Sequence, residues 1–252
     1  MNPTPGPRSR AARTVFLVAA GLAVLAFLAL GTWQVQRRAW KLDLIARVEQ
    51  RVHAAPADMP GPAAWPDISA ARDEYRRVRA TGTFLHDRET LVVASTERGP
   101  GYWVMTPLRL ADGTMVLVNR GFVPPERRDR STRPEENPGG EVALAGLLRM
   151  TEPGGSLLRH NDPAAGRWYS RDVQAIAAAR GLGPVAPYFI DAEAGPAGSA
   201  APGAPVGGLT VVAFRNNHLE YALTWYALAL VGAIGIVALL RSERAHNPPV
   251  SR

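Results

Sequence analysis

From Thr14 to Gln36 no side chain carries a charge, and the stretch from Val15 to Leu30 is almost wholly apolar. A second run of this kind reaches from Tyr221 to Leu240, where Arg241 stops it. A helix needs about 20 apolar residues to cross a hydrocarbon core about 30 Å thick. The two runs therefore predict transmembrane helices over 14–36 and 219–240. An arginine-bearing start before an apolar stretch also describes a signal peptide, but the apolar part of a signal is usually about 7–15 residues long. Here it is longer, and Trp33, Trp40, Leu44, Val48 and Val52 carry the pattern onward at spacings of four or seven. An uncleaved anchor is the expectation, with Trp33 at headgroup level. Asn216 and Asn217 are suited to cap the second helix. Ala19 with Ala23, and Ala229 with Ala233, give each span a small-residue pair four apart, which lets helices approach closely. The general abundance of alanine explains the pairs equally well.

Between the spans the pattern changes to short strands. Strand-like segments cover Arg77 to Leu85 (broken by Gly82), Thr90 to Ser95, Tyr102 to Leu108, Thr114 to Val123, Glu141 to Met150 and Val185 to Asp191. Ala111-Asp112-Gly113 is a hairpin-type turn. Arg171 to Arg180 reads as a helix, with Val173, Ile176 and Ala177 on one face and Gly181 at its end. Ala54 to Pro66 reads as a linker or long loop. Residues 192–208 are nearly all Ala, Gly and Pro and read as a mobile loop, too poor in side chains to pack. The predicted class is a membrane-anchored α+β protein, in which two transmembrane helices flank a mainly antiparallel-β extracytoplasmic domain. Its parts are a basic tail (1–13), the first helix (14–36), the domain (37–218), the second helix (219–240) and a second tail (241–252).

Charge sharpens orientation more than function. The chain carries +7 overall. The first tail holds three arginines and no acid, and the last holds three arginines against Glu243. The remaining 23 basic and 21 acidic residues nearly cancel. That balance describes a solvated surface and gives no footprint for nucleic acid. Arg241 and Arg244 favour a cytoplasmic C-terminus. At the first span Arg8, Arg10 and Arg13 compete with Arg37, Arg38, Lys41, Arg47 and Arg51, so the charge rule alone does not orient it. The expectation is that both tails are cytoplasmic. The chain has no cysteine, which excludes disulfides, thiolate nucleophiles, thioether haem attachment and cysteine–metal sites.

Recognisable catalytic constellations are missing. His53, His86, His160 and His246 lie in loop-like or tail segments with no shared spacing, and there is no nucleophile elbow, zinc-protease helix or phosphate-binding glycine loop. Glu135-Glu136, Asp73-Glu74 and the arginines 76, 77 and 79 read as solvated surface. Gly82 and Gly121 read as structural. Arg120 is expected to lay its stem on the sheet with its charge in water, the alternative being a pair with a haem propionate or a partner carboxylate. His218 stands apart. On a helix it shares a face with Tyr221, Ala222 and Trp225. A neutral imidazole is a good iron ligand, Ala222 leaves room for a flat macrocycle, and Tyr221 and Trp225 can flank it. The same residues also form an ordinary headgroup-level belt that binds nothing. Composition and spacing leave both readings open.

Several motifs in order resemble the Surf1/Shy1 family of cytochrome c oxidase assembly proteins. They are L-G-T-W-Q-V-Q-R-R-A-W-K (Leu30 to Lys41), V-R-A-T-G-T-F (Val78 to Phe84), G-Y-W-V-M-T-P-L (Gly101 to Leu108), V-L-V-N-R-G-F-V-P (Val116 to Pro124) and N-N-H-L-E-Y-A-L-T-W-Y (Asn216 to Tyr226). The segments 54–66, 131–140 and 192–208 carry none of the likeness. The resemblance implies an assembly factor and not an enzyme. It implies transient binding of haem a at the membrane boundary, with His218 as the iron ligand; Tyr221 and Trp225, on the same helix face, are then the candidate haem contacts. No other metal is implied. The implied partners are the oxidase catalytic subunit, haem a synthase and the lipid bilayer. No long mitochondrial targeting segment precedes the first span, so the expectation is a bacterial member in the inner membrane. A scaffold that steadies an assembly intermediate without any cofactor is the alternative.

Overall fold

In the computed structural model the first apolar run lies within one continuous helix, α1 (Pro7–His53). The second run lies within the last helix, His218–His246. Only 6% of the most apolar window of each is buried, whereas the core helix of a soluble domain would be mostly buried. Both are long and apolar enough to cross a membrane. The structure describes residues 7–133, 140–156, 158–195, 203–212, 214 and 216–246. The chain divides into two compact units, Met1–Ala46 with Ala213–Arg252, and Arg47–Val212.

The second unit is built on one sheet. Its strands are β1 (Ala57–Asp58), β2 (Arg77–Phe84), β3 (Thr90–Thr96), β4 (Gly99–Arg109), β5 (Met115–Val123) and β6 (Glu141–Met150). A small hairpin, β7 (Gly155–Ser156) with β8 (Arg159–His160), stands apart, and β9 (Val185–Ala192) returns to the sheet. Two short helices, α2 (Ala70–Asp73) and α3 (Val173–Ala179), complete it, so the final helix is α4. The order is β1-β2-β6-β9-β5-β4-β3. A further antiparallel pairing of β2 with β4, Phe84 opposite Leu108, closes the sheet into a barrel.

The sheet is mixed. β2–β6, β3–β4, β4–β5 and β6–β9 are antiparallel, as the sequence suggests, but β1–β2 and β5–β9 are parallel. A parallel pair needs a long crossover, and the chain supplies one through β6 and α3 before β9 returns beside β5. That topology explains the apolar density of β5. Val116 and Val118 face one core cluster with Val78, Leu108, Leu148, Tyr188 and Ile190, whereas Leu117 faces another with Met105, Trp168, Ile176 and Phe189. A strand buried on both faces reads as a continuous apolar run. Full burial of each such side chain contributes about 1.5–3 kcal/mol relative to exposure.

Two segments read as loops make defined contacts with the sheet where they are described. Within Ala54–Pro66, β1 pairs with β2 through Ala57 and Val78, and Met59 and Trp65 pack on the first core. The carbonyl of Pro60 accepts hydrogen bonds from Trp65 Nε1 at 3.2 Å and from the Tyr188 hydroxyl at 2.6 Å. One tryptophan and one methionine were enough to hold a proline-rich stretch. At the far end of 192–208, Val206 exchanges backbone hydrogen bonds with Phe122, so that end is pinned; the middle, 196–202, lies outside the described residues. Gly121 is what permits this pinning. Its φ is +129°, and a Cβ there would lie 2.3 Å from the Val206 carbonyl. Gly82 likewise marks a close backbone approach, to the Arg109 carbonyl. Arg120 does not simply point to water: its guanidinium lies 5.0 Å over the Phe84 ring, with Nη1 3.3 Å from His86 Nδ1.

Candidate functional site

In the first unit α1 and α4 pack antiparallel. Val24, Phe27, Gly31 and Gln34 line the packed side of α1 at helical spacings of three and four. Ala222, Trp225, Ala229 and Gly232 do the same on α4. Phe27 stacks on Trp225 with ring centroids 5.7 Å apart, and Thr32 Oγ1 lies 3.2 Å from the Tyr226 hydroxyl. The helices close tightly over Gly31, where a Cβ would lie 2.7 Å from the Tyr226 ring. Small residues thus do set the approach, but on α1 they are not the expected pair: Ala19 and Ala23 lie on the exposed side. Ala222 and Ala229 are buried in the seam.

His218 begins α4, and the preceding carbonyl, that of Asn217, accepts the Tyr221 amide. Asn217 therefore holds the N-cap position. Across the seam, His218 Nδ1 lies 2.7 Å from Gln34 Oε1. Gln34 is 9% exposed, whereas its neighbours Trp33 and Val35 are 53% and 47% exposed. Among the described residues Nε2 of His218 makes no hydrogen bond. The other residues expected around His218 divide. Trp225 is half-buried and engaged with Phe27. Tyr221 is exposed on the outer side of α4, and the space beside Ala222 is filled by the seam. Beyond the apolar run, the Arg37 guanidinium lies 4.0 Å over Trp40, and Lys41 lies 5.8 Å from the ring of Phe214. Cations against aromatic rings suit a membrane–water boundary. Gln34 was not anticipated as a site residue. Its signal was present in the three-four spacing it shares with Val24, Phe27 and Gly31.

The barrel unit holds a second polar cluster. The Asp191 carboxylate accepts from Asn119 Nδ2 at 2.8 Å, Arg149 Nη1 at 2.9 Å, Arg171 Nη1 at 3.0 Å and Thr210 Oγ1 at 2.9 Å. Arg149 also pairs with Glu74, and Arg171 with Glu152. These side chains line one wall of a cavity of about 390 Å³ that also touches Trp103 and Gly208. Each arginine is already paired with two carboxylates, Asp191 being shared between them, so the cluster works as a fastening. It ties β6, β9 and the segment around Thr210 together. Burial pushes the Glu152 carboxyl up, but hydrogen bonds and charge from Arg171, with Arg149 nearby, outweigh it and hold the group below the ordinary carboxylate value. A carboxyl depressed on folding stabilises above its unfolded value and loses that contribution as pH falls through its folded value. Urea unfolding midpoints of the full chain should therefore fall between neutral pH and about pH 3.5. In Glu152→Gln the fall should be smaller.

Among the described residues no group of three or more His, Asp or Glu could hold a metal ion.

Comparison with known proteins covers both units. The model of the SURF1 family matches residues 21–230, from within α1 to within α4. Surfeit locus protein 1 of Mus musculus is 40% identical over 215 residues, which cover 79% of this chain and 67% of the mouse protein. Surfeit locus protein 1 of Homo sapiens is 39% identical over 217 residues, covering 79% and 69%. A SURF1-like protein of Monosiga brevicollis is 39% identical over 216 residues, covering 80% and 78%.

Proposed function

The chain belongs to the SURF1 family, and from that premise we propose that it is a membrane-anchored assembly factor for haem–copper cytochrome c oxidase. In this reading α1 and α4 cross a bacterial inner membrane with both tails in the cytoplasm. The chain carries haem a as cargo to the catalytic subunit of the oxidase, receives it from haem a synthase, and catalyses no reaction of its own.

The observation that carries the reading is the ring of His218. Its Nδ1 is occupied by Gln34, which leaves Nε2 as the atom suited to meet iron. His218 lies at the start of the apolar run of α4, so a porphyrin held there can keep an isoprenoid tail in lipid while its iron meets imidazole. Tyr221, on the exposed side, and the edge of Trp225 are the aromatic surfaces nearest in sequence for the macrocycle to rest on. A single protein ligand with an exchangeable second position favours release, as a carrier requires.

The chain purified from cells that make haem a should be coloured, and His218→Ala should lose most of that pigment. A variant that keeps full haem occupancy overturns the role of His218. The hydrogen bond to Gln34 also favours a second reading, in which His218 only pins two helices and the protein is a cofactor-free scaffold. That reading expects oxidase subunits to co-purify without pigment, undiminished by His218→Ala.

A further inference from the structure

We infer that Gln34 is the positioning residue of the site: its amide oxygen holds the proton on His218 Nδ1 and thereby leaves the Nε2 lone pair free to bind iron. The inference rests on the reading that His218 ligates haem and deepens it by naming the residue that makes the ring competent.

The argument starts from what each group can donate. A neutral imidazole has one N–H and one lone pair. Gln34 Oε1, an acceptor, lies 2.7 Å from Nδ1, a contact that is a hydrogen bond when Nδ1 carries the ring proton. The lone pair then lies on Nε2. The opposite arrangement, an amide N–H donating to Nδ1, would put the proton on Nε2 and close the ring to iron. Which of the two holds decides whether this histidine is a ligand or a pin.

Burial gives Gln34 its hold. The side chain is 9% exposed between two apolar helices, where an amide without a partner is costly. The pair is thus mutually enforced. The type of residue matters as well. A carboxylate in this place would polarise the ring more strongly but would bring a charge to the edge of an apolar span. A neutral amide orients the imidazole while donating little extra electron density, which suits iron held for transfer. Gln34 and His218 are 184 residues apart and lie in the first and last motifs of the chain, so one hydrogen bond joins the two spans into one site.

The test uses the full-length chain, labelled with 15N-histidine in detergent micelles and free of haem. The His218 resonances are identified by their loss in His218→Ala. The inference expects Nδ1–H in the wild type, loss of that preference in Gln34→Leu, and its retention in Gln34→Glu, whose carboxylate also accepts. Titration with haem a should show affinity reduced about 10–100-fold in Gln34→Leu, the usual effect of removing a group behind a metal ligand, and affinity no weaker than wild type in Gln34→Glu. A wild-type ring protonated on Nε2 overturns the inference, whatever the variants do. So does a Gln34→Leu protein that binds haem a as tightly as wild type. If Nδ1–H is found but haem a binding is unaffected by His218→Ala, the ligation reading falls instead. The wild-type spectrum decides the tautomer even if Gln34→Leu fails to fold.

Discussion

Replacing Asp191 with alanine should destabilise the barrel unit by about 3–5 kcal/mol, the usual cost of breaking a buried ion pair from one side. The carboxylate is 3% exposed and accepts from two arginines, an asparagine and a threonine. Arg149 and Arg171 are themselves only 15% and 13% exposed. Without Asp191 each keeps one carboxylate, Glu74 or Glu152, but the two cations face each other across the vacated position. The measurement is the urea midpoint of the full chain followed by tryptophan fluorescence, since Trp103 and Trp168 both belong to this unit. Asp191→Asn, which keeps an acceptor of the same shape, should cost less. If alanine and asparagine are equally mild, the cluster contributes little and the fold rests on its apolar clusters alone.

The second large effect is expected at Gly121. An alanine there must adopt a φ of +129° and place its Cβ 2.3 Å from the Val206 carbonyl. Strain at such a φ and the forced displacement of backbone together should cost roughly 2–4 kcal/mol. The displaced strand end would also free Val206 from Phe122, so amide exchange should accelerate locally at those two residues. Unchanged exchange at Val206 and Phe122 in a folded Gly121→Ala protein would show that the contact is not a constraint.

Much of the architecture was legible because periodicity reports burial. Unbroken apolar runs gave both long helices, and short alternating or wholly apolar runs gave β2, β3, β5, β6 and β9 within a residue or two and β4 within three. Pairing direction was not legible. β5 and β9 are parallel because a crossover through β6 and α3 separates them, and nothing in either strand encodes its neighbour. At Ala54–Pro66, read as a linker or long loop, composition did not reveal that Met59 and Trp65 anchor it to the core. At the candidate site, His218 and its aromatic neighbours could be picked out from their place at the end of an apolar run. The spacing of Gln34 marked its face of α1 but not its role, which comes from a partner 184 positions away. Ala19 and Ala23 show the same limit: four-residue spacing identifies a face without saying what covers it.

Joining β2 to β4 leaves the sheet two margins among the described residues. One is the two-residue β1. The other is β3, where Trp168 already takes the Val93 amide. A long bare strand at a sheet margin invites neighbouring chains to pair with it. Among the described residues, one margin is thus very short and the other is interrupted at its middle, which limits edge-to-edge pairing.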